Sequence, residues 1–191
     1  MSVENSKNTK AIITTAIDLF QEEGYENVSV QEICSKSGVS RSSFYSIFSG
    51  KADILSTMIG GIRMNFEKMV PDFIKAEDDV ARIWLITDSY LSLASRYGPQ
   101  LIKALYIEEL SGQHQFLSDI EKYTDWLVPL VRNCQKNGTF LNQSDPEVVV
   151  KMQFDLCKGI LVDWVLNDGN FDLEERVKSM FKVLWMLQEK D

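Results

Sequence analysis

The chain has little of what catalysis or metal binding requires. Its 191 residues include a single histidine, His114, and there is no phosphate loop, no metal cluster and no nucleophile–base pair at a plausible spacing. His114 is close in sequence to Glu108 and Glu109, but this spacing does not put the three side chains on one helical face, so no metal site is predicted. The scarcity of these groups argues against an enzyme, and no cofactor is expected.

Signals for secretion and membrane insertion are missing as well. The N-terminal MSVENSKNTK lacks the apolar core of a signal peptide, and no segment is long and apolar enough to cross a bilayer. The cysteines are odd in number and scattered, which is typical of free thiols and not of a disulfide framework; they are Cys34, Cys134 and Cys157. We therefore expect a cytoplasmic protein.

Positive charge is scarce. The formal net charge is -8, but residues 1–63 carry six Lys and Arg against seven Asp and Glu, so most of the acid excess lies further along the chain. The N-terminal part is nearly neutral and has few cations to neutralise phosphates. Any nonspecific affinity for DNA should be modest, with a shallow salt dependence, and a role at an anionic membrane surface is not expected.

Two short helices joined by a tight turn are predicted for residues 28–55, VSVQEICSKSGVSRSSFYSIFSGKADIL. Ser29 can cap the first helix through its hydroxyl, and Glu32, three residues later, completes a capping box. Gly38 ends this helix, because glycine adopts the left-handed conformation that other residues resist. Val39 is then expected to be buried against both helices.

The second helix, capped by Ser40 and running from Arg41 to Ile47, is predicted to be apolar on one side only. At about 100° per residue, Phe44, Ile47 and Phe48 share a face. The opposite face carries Ser42, Tyr45, Ser46 and Ser49, with Arg41 on the open first turn. Such a unit fits the helix-turn-helix geometry, in which the second helix contacts base edges. An ordinary helical hairpin is the alternative.

The longer pattern resembles the TetR family of bacterial transcriptional regulators, whose signature reads approximately T/S-V-x-x-I-A-x-x-A-G-V-S-x-G-x-F/L-Y-x-x-F-x-x-K-x-x-L. The matching positions are Ser29, Val30, Ile33, Gly38, Val39, Ser40, Phe44, Tyr45, Phe48, Lys51 and Leu55. Upstream, the first helix of the family and its G-Y/F ending are matched by Ala16, Leu19, Phe20, Gly24 and Tyr25. Three small residues depart from the pattern, Cys34, Ser37 and Ser42, and small-for-small changes leave the fold intact.

The resemblance implies that Tyr45 and Lys51 hold phosphates, while Arg41 and three neighbouring serines lie near bases or backbone. The full predicted DNA-binding set is Ser29, Ser40, Arg41, Ser42, Ser43, Tyr45, Ser46 and Lys51. Apart from Arg41, this face lacks the side chains that make bidentate base contacts, so DNA shape is expected to carry part of the specificity. Packing of Tyr45 on the first helix and a surface salt bridge of Arg41 are the alternatives.

Downstream, glycines and prolines punctuate a chain that reads as helical throughout, so the predicted fold is all-α with about nine helices. Residues 1–50 are expected to form a three-helix DNA-binding domain, and residues 51–191 a helical ligand-binding and dimerisation domain. The predicted helices cover about 51–70, 79–96, 116–136 and 146–166, with a short one after Pro99 and a last one after Asp172. Pro71 is expected to stop the first of these, and Pro129 to kink the third.

The last two helices carry more apolar surface than one face can bury, which indicates a partner surface. In TetR relatives, such helices form a four-helix dimer interface, and a dimer would present two recognition helices to half-sites about 34 Å apart or a multiple of it. The predicted interface residues are Val149, Gln153, Leu156, Ile160, Trp164, Leu184 and Trp185. For Trp185, shielding of the monomer's own core is the alternative.

Aromatic residues of the middle helices could line a cavity for a hydrophobic or aromatic inducer. The predicted ligand-binding residues are Trp84, Tyr90, Tyr123 and Trp126. Aromatic stripes also occur in plain cores. Gly60-Gly61, inside the connecting helix, costs about 1 kcal/mol per glycine against alanine, and we interpret it as a hinge, with close helix packing as the alternative.

These observations predict a homodimeric DNA-binding transcriptional regulator, a repressor released from a palindromic operator by a small-molecule inducer; activation is the other mode. A second hypothesis is a TetR-fold nucleoid-associated or assembly protein whose C-terminal domain binds a protein partner. A sealed cavity with polar anchors would favour the first hypothesis, and a filled core with an exposed patch would favour the second.

Overall fold

The computed structural model describes residues 3–111 and 123–187, and over these ranges the chain is helical apart from turns, caps and one isolated bridge between Phe140 and Leu187. The predicted all-α fold is confirmed. The elements are α1 (Val3–Glu23), a 3-10 turn (Tyr25–Asn27), α2 (Val30–Ser37), α3 (Arg41–Tyr45), α4 (Lys51–Lys75), α5 (Asp79–Leu110), α6 (Thr124–Lys136), α7 (Pro146–Leu166) and α8 (Leu173–Trp185). In these ranges, no helix has both the length and the hydropathy needed to span a membrane.

Helix ends follow the predicted capping residues in most places. Asp145 accepts a hydrogen bond from the Glu147 N–H at the start of α7, and Asp172 accepts one from the Glu175 N–H at the start of α8. Within α5, Gly98 has φ 76°, a left-handed conformation that breaks the helix ahead of Pro99, as predicted.

The prediction that α4 stops before Pro71 is wrong, since the helix continues to Lys75. Contacts made beyond the proline compensate for its local cost of about 3 kcal/mol. The Phe73 ring packs edge-on against Trp126 at 5.9 Å, and the Arg82 guanidinium donates to the Phe73 carbonyl and to a second carbonyl just past the helix end.

Two compact units are defined by contacts along the chain. The first comprises Met1–Gly61 and Ala94–Phe116. Its core is built by α1, which packs against α2 and α3, together with the apolar side of the second half of α5. The largest fully buried side chains there are Phe20, Phe44, Ile12, Ile33, Ile54, Leu55 and Leu101.

The second unit comprises Ile62–Leu93 and Leu117–Asp191. An aromatic cluster lies in its core, where Trp185 stacks on Phe140 with ring centroids 4.7 Å apart and contacts Phe181 and Trp84 at 4.9 and 5.4 Å. Trp185 has no exposed surface. It therefore shields the core of its own chain, the alternative stated above, and offers no area to a second copy.

The α7 stripe predicted for dimerisation lies in the same core. Gln153 is 1% exposed, and its amide donates to the Thr87 hydroxyl, which in turn donates to a backbone carbonyl. Leu156 and Leu184 are half-buried. The other members of the stripe are 1 to 8% exposed: Val149, Ile160 and Trp164. Most of this stripe is therefore covered within the chain, and its role in a subunit interface stays a prediction.

All three cysteines are free and buried. Burial raises the pKa of the Cys134 and Cys157 thiols to about 12, with the carboxylates of Asp79 and Asp78 adding to the shift at Cys134. The thiols therefore remain protonated and unreactive at neutral pH.

Some predicted features lie outside the described residues. They include His114 and the start of the helix predicted at Phe116. Residues 60 and 61 lie within α4, but the surroundings of Gly60-Gly61 are not described, so the hinge stays a prediction. The predicted domain division at residue 50 also stays a prediction.

Candidate nucleic-acid interface

The turn between α2 and α3 has the predicted capping geometry. Ser29 Oγ accepts from the Glu32 N–H at 3.1 Å, and Ser40 Oγ accepts from the Ser43 N–H at 3.1 Å, so both helices begin at a serine cap. Gly38 has φ 69° and donates to the Cys34 carbonyl, which ends α2. Together these contacts set the angle at which α3 leaves the turn.

Helix α3 is anchored by aromatic side chains on its inner side. Phe44 has no exposed surface and Phe48 is 5% exposed, with their ring centroids 5.7 Å apart. The helix ends at Tyr45, two residues earlier than predicted, although the N–H of Ser46 still bonds to the Ser42 carbonyl. The buried aromatic side fixes which side of α3 faces outward.

The outward side carries the predicted DNA-binding residues. Tyr45 is 52% exposed, with its ring edge-on to Phe44, so it does not merely fill the core. Arg41, Ser42 and Ser46 are exposed, and Ser43 is half-buried. The Ser40 hydroxyl lies within hydrogen-bond distance of the Ser42 and Ser43 hydroxyls, so part of this polar surface is held in place before any ligand arrives.

Lys51 has internal partners in the structure, and its predicted contact with a phosphate stays a prediction. Its ammonium donates to the carbonyls of Tyr25 and Val28, both at 2.7 Å, and lies 4.5 Å from the centroid of the Tyr25 ring. Two of the three ammonium protons of Lys51 are therefore hydrogen-bonded to backbone carbonyls of the segment that precedes α2. The geometry favours a positioning role, in which Lys51 ties the start of α4 to the segment that precedes α2.

Few cations of the helix-turn-helix remain available to DNA. Residues 28–55 contain three, namely Lys36, Arg41 and Lys51. Lys36 pairs with Glu23 at 3.1 Å and Glu32 at 3.5 Å, and these carboxylates raise the pKa of its ammonium. With Lys51 also engaged, Arg41 is the exposed cation of the recognition helix, which agrees with the expected lean direct readout.

A hydrogen bond joins the 3-10 turn to the second half of α5 inside the first unit. The Tyr25 hydroxyl donates to Glu108 Oε1 at 2.8 Å. Burial and the nearby carboxylates of Glu108 and Glu26 raise the pKa of Tyr25, so the phenol stays neutral and continues to donate. Because Lys51 binds the carbonyl of the same tyrosine, α4, α5 and the start of the helix-turn-helix meet at Tyr25.

The second unit contains an open cleft of about 520 Å³ between the end of α4, the first half of α5 and α8. Trp84, a predicted ligand-binding residue, lines it. Tyr90 is buried, Tyr123 lies at the start of α6, and Trp126 is 46% exposed against Phe73; these three are not among its lining residues. The charged residues of the cleft went unpredicted, since they come from segments far apart in sequence: Asp72, Lys75, Glu77, Asp88, Glu174 and Lys178.

A second feature that sequence reasoning missed is the outer face of α7 and α8. Exposed apolar side chains recur there at helical spacing, between 41 and 76% exposed: Val148, Met152, Val162, Leu166, Met180 and Val183. The spacing itself was visible in the sequence. It was overlooked because a more apolar stripe on the same helix has the same period.

Comparison with known proteins decides the family. A family model described as bacterial regulatory proteins, tetR family, matches residues 12–58, and one described as the C-terminal region of YsiA-like protein matches residues 68–186. The chain belongs to the TetR family. The helix-turn-helix is thus the DNA-binding part of a TetR-family transcriptional regulator.

Similar proteins support this assignment. The chain is 24% identical to the fatty acid metabolism regulator protein of Bacillus subtilis over 177 residues, which cover 91% of each chain. FadR of Thermus thermophilus, a TetR-family repressor solved in complex with lauroyl-CoA, superposes with a TM-score of 0.62 at 18% identity, covering 96% of this chain and 97% of that one. A regulator from Saccharomonospora viridis solved in complex with choline gives 0.72 at 18% identity, covering 97% and 100%.

Proposed function

We propose that this TetR-family regulator is a repressor that binds a palindromic operator as a homodimer and is released by a small molecule held in its second unit. The observation that carries the proposal is the seating of α3. Buried Phe44 and Phe48 turn Arg41 and Tyr45 outward, and the serine cap leaves the first turn open to a DNA groove. Arg41 is assigned to base edges, and Tyr45 with Ser42 and Ser46 to the backbone.

Dimerisation is assigned to the outer face of α7 and α8. Met152, Val162 and Leu166 form one exposed stripe on α7, and Met180 with Val183 forms another on α8. A second copy applying the same face would bury both stripes in a four-helix arrangement with two-fold symmetry. This pairing also supplies two recognition helices for half-sites about 34 Å apart or a multiple of it.

The cleft around Trp84 is the proposed effector site. It is open and not sealed, so it does not fully meet the sequence criterion for an inducer cavity, but its volume of about 520 Å³ is in the range of sites for small molecules. The exposed patch on α7 and α8 is better explained by self-association than by a protein partner, because it lies on helices that a two-fold pair can share. Similar proteins were solved with lauroyl-CoA and with choline, ligands of opposite charge, so the fold alone does not name the effector.

The test is selection of bound duplexes from random DNA by the full-length protein, followed by a screen for compounds that release the enriched duplex. We expect a roughly palindromic site. The Arg41→Ala variant should lose discrimination at one position of each half-site, worth about 1–3 kcal/mol, while a matched Lys182→Ala variant on α8 should select the same site. Recovery of no enriched sequence would overturn the proposal.

A further inference from the structure

The cleft of the second unit has a charge pattern that narrows the chemistry of its ligand. Four carboxylates face two ammonium groups among its lining residues: Asp72, Glu77, Asp88 and Glu174 against Lys75 and Lys178. Partial desolvation and the neighbouring charge of Glu174 raise the pKa of Asp88, so the two carboxylates interact with each other although both keep exposed surface. An anionic ligand entering this space would meet net repulsion.

The aromatic wall of the cleft already attracts a cation. One face of the Trp84 indole stacks on Phe181, with ring centroids 5.3 Å apart and planes 23° from parallel. The Lys178 ammonium lies 5.7 Å from the Trp84 centroid and forms an ion pair with Glu174. A positive group over an indole face is favoured by the ring quadrupole, by about 0.5–2 kcal/mol depending on desolvation.

Lys178 is not locked in this position. Its side chain is 47% exposed, and its partner Glu174 is 57% exposed, so the pair lies at the rim and can separate at little cost. The remaining walls are apolar, formed by Ala76, Ala81, Leu85 and Leu91. A ligand with a positive head and an apolar body would match both parts of the cleft.

We infer, on the basis of the proposed function, that the effector cleft binds an organic ammonium cation with an apolar or aromatic body. The charged head of this ligand lies over Trp84, between Asp88 and Glu174. It takes the place of the Lys178 ammonium. The same arrangement disfavours acyl-CoA thioesters, because their phosphates would approach the four carboxylates. The inferred ligand class therefore differs from lauroyl-CoA, with which the similar Thermus thermophilus protein was solved.

The test uses benzyltrimethylammonium, its uncharged isostere neopentylbenzene, and lauroyl-CoA, each titrated into the full-length protein by calorimetry. We expect the ammonium compound to bind more tightly than the isostere. Asp88→Asn should weaken binding of the ammonium compound about fivefold, and Lys178→Met should strengthen it about fivefold, since one unit charge at about 4 Å is worth about 1 kcal/mol in water. Lys182→Met, on the same helix but not a lining residue, is the matched control and should change nothing.

Equal affinity for the charged compound and its isostere, or no effect of Asp88→Asn and Lys178→Met, would overturn the inference. Operator release is measured separately with the same compounds. Charge-dependent binding without release keeps the inferred site and refutes its role as the effector site of the proposed function. Release by lauroyl-CoA without binding of the ammonium compound refutes the inference and leaves the proposed function standing.

Discussion

Substitution of Lys51 tests which contacts hold the helix-turn-helix in place within the first unit. The Lys51 ammonium donates two hydrogen bonds at 2.7 Å to backbone carbonyls, and it lies over the Tyr25 ring. A hydrogen bond to a charged group contributes about 1.5–3 kcal/mol to the free energy of unfolding. Because the Lys51 side chain is half-buried, we assign a value within this range to its two bonds together. Lys51→Met keeps the length and the apolar stem, and it should lower the free energy of unfolding by about 2–3 kcal/mol.

Thermal denaturation and salt-dependent DNA binding separate the two roles of Lys51. For a chain of this size, 1 kcal/mol corresponds to about 2–4 °C, so the midpoint should fall by about 4–12 °C. Each phosphate contact adds about 0.9 to the slope of log affinity against log salt, and a positioning lysine adds nothing. We therefore expect Lys51→Met to leave the slope unchanged, whereas Arg41→Ala should weaken binding without moving the midpoint. An unchanged midpoint with a slope lowered by about one would show that Lys51 is a phosphate ligand and that this reasoning is wrong.

Further changes test other contacts. Tyr25→Phe removes the donor to Glu108 and should lower stability by about 1–3 kcal/mol in urea denaturation; the absence of any loss would mean that the bond does not form in solution. Asp88→Asn should raise the melting temperature in the unliganded protein at pH 7. Because the pKa of this carboxyl is raised in the folded state, its contribution to stability is fully present below its ordinary pKa of 3.8 and is lost as pH rises through the raised pKa. An Asp88→Asn variant that melts at a lower temperature than the wild type at pH 7 would contradict the assignment. Gly38→Ala meets no atom within 4 Å but must adopt φ 69°, so it should cost about 1 kcal/mol, measured by the same denaturation. Val183→Asp, at a side chain 75% exposed, should leave the fold intact by circular dichroism and give monomers in sedimentation, and a persistent dimer would move the interface elsewhere.

Local chemistry is what the sequence predicted well. The caps at Ser29, Ser40, Asp145 and Asp172 and the break at Gly98 depend on residues within a few positions of each other, and each is confirmed. Helical periodicity likewise predicted the burial of one side of α3, where Phe44 and Phe48 are confirmed as buried. These rules operate without knowledge of the rest of the chain, which explains their success.

Contacts between residues that are distant in sequence could not be predicted. The carbonyls that bind Lys51 lie 23 and 26 residues earlier, and no periodicity connects them to it. The sequence could not decide which face of α7 turns inward, because two of its faces carry apolar residues at the same helical period and only packing distinguishes them. The continuation of α4 past Pro71 likewise depends on Arg82 and Trp126, which meet it only after folding.

The buried thiols have a practical consequence. Because burial raises the pKa of Cys134 and Cys157 to about 12, both thiols stay protonated near neutral pH and almost none of the nucleophilic thiolate is present. A single cysteine introduced by Thr14→Cys, at an exposed position outside the predicted DNA-binding set, would react with maleimide dyes far faster than the buried native ones. Spectroscopic reporters can therefore be attached in the wild-type background, and energy transfer between identically labelled copies could follow operator engagement in real time.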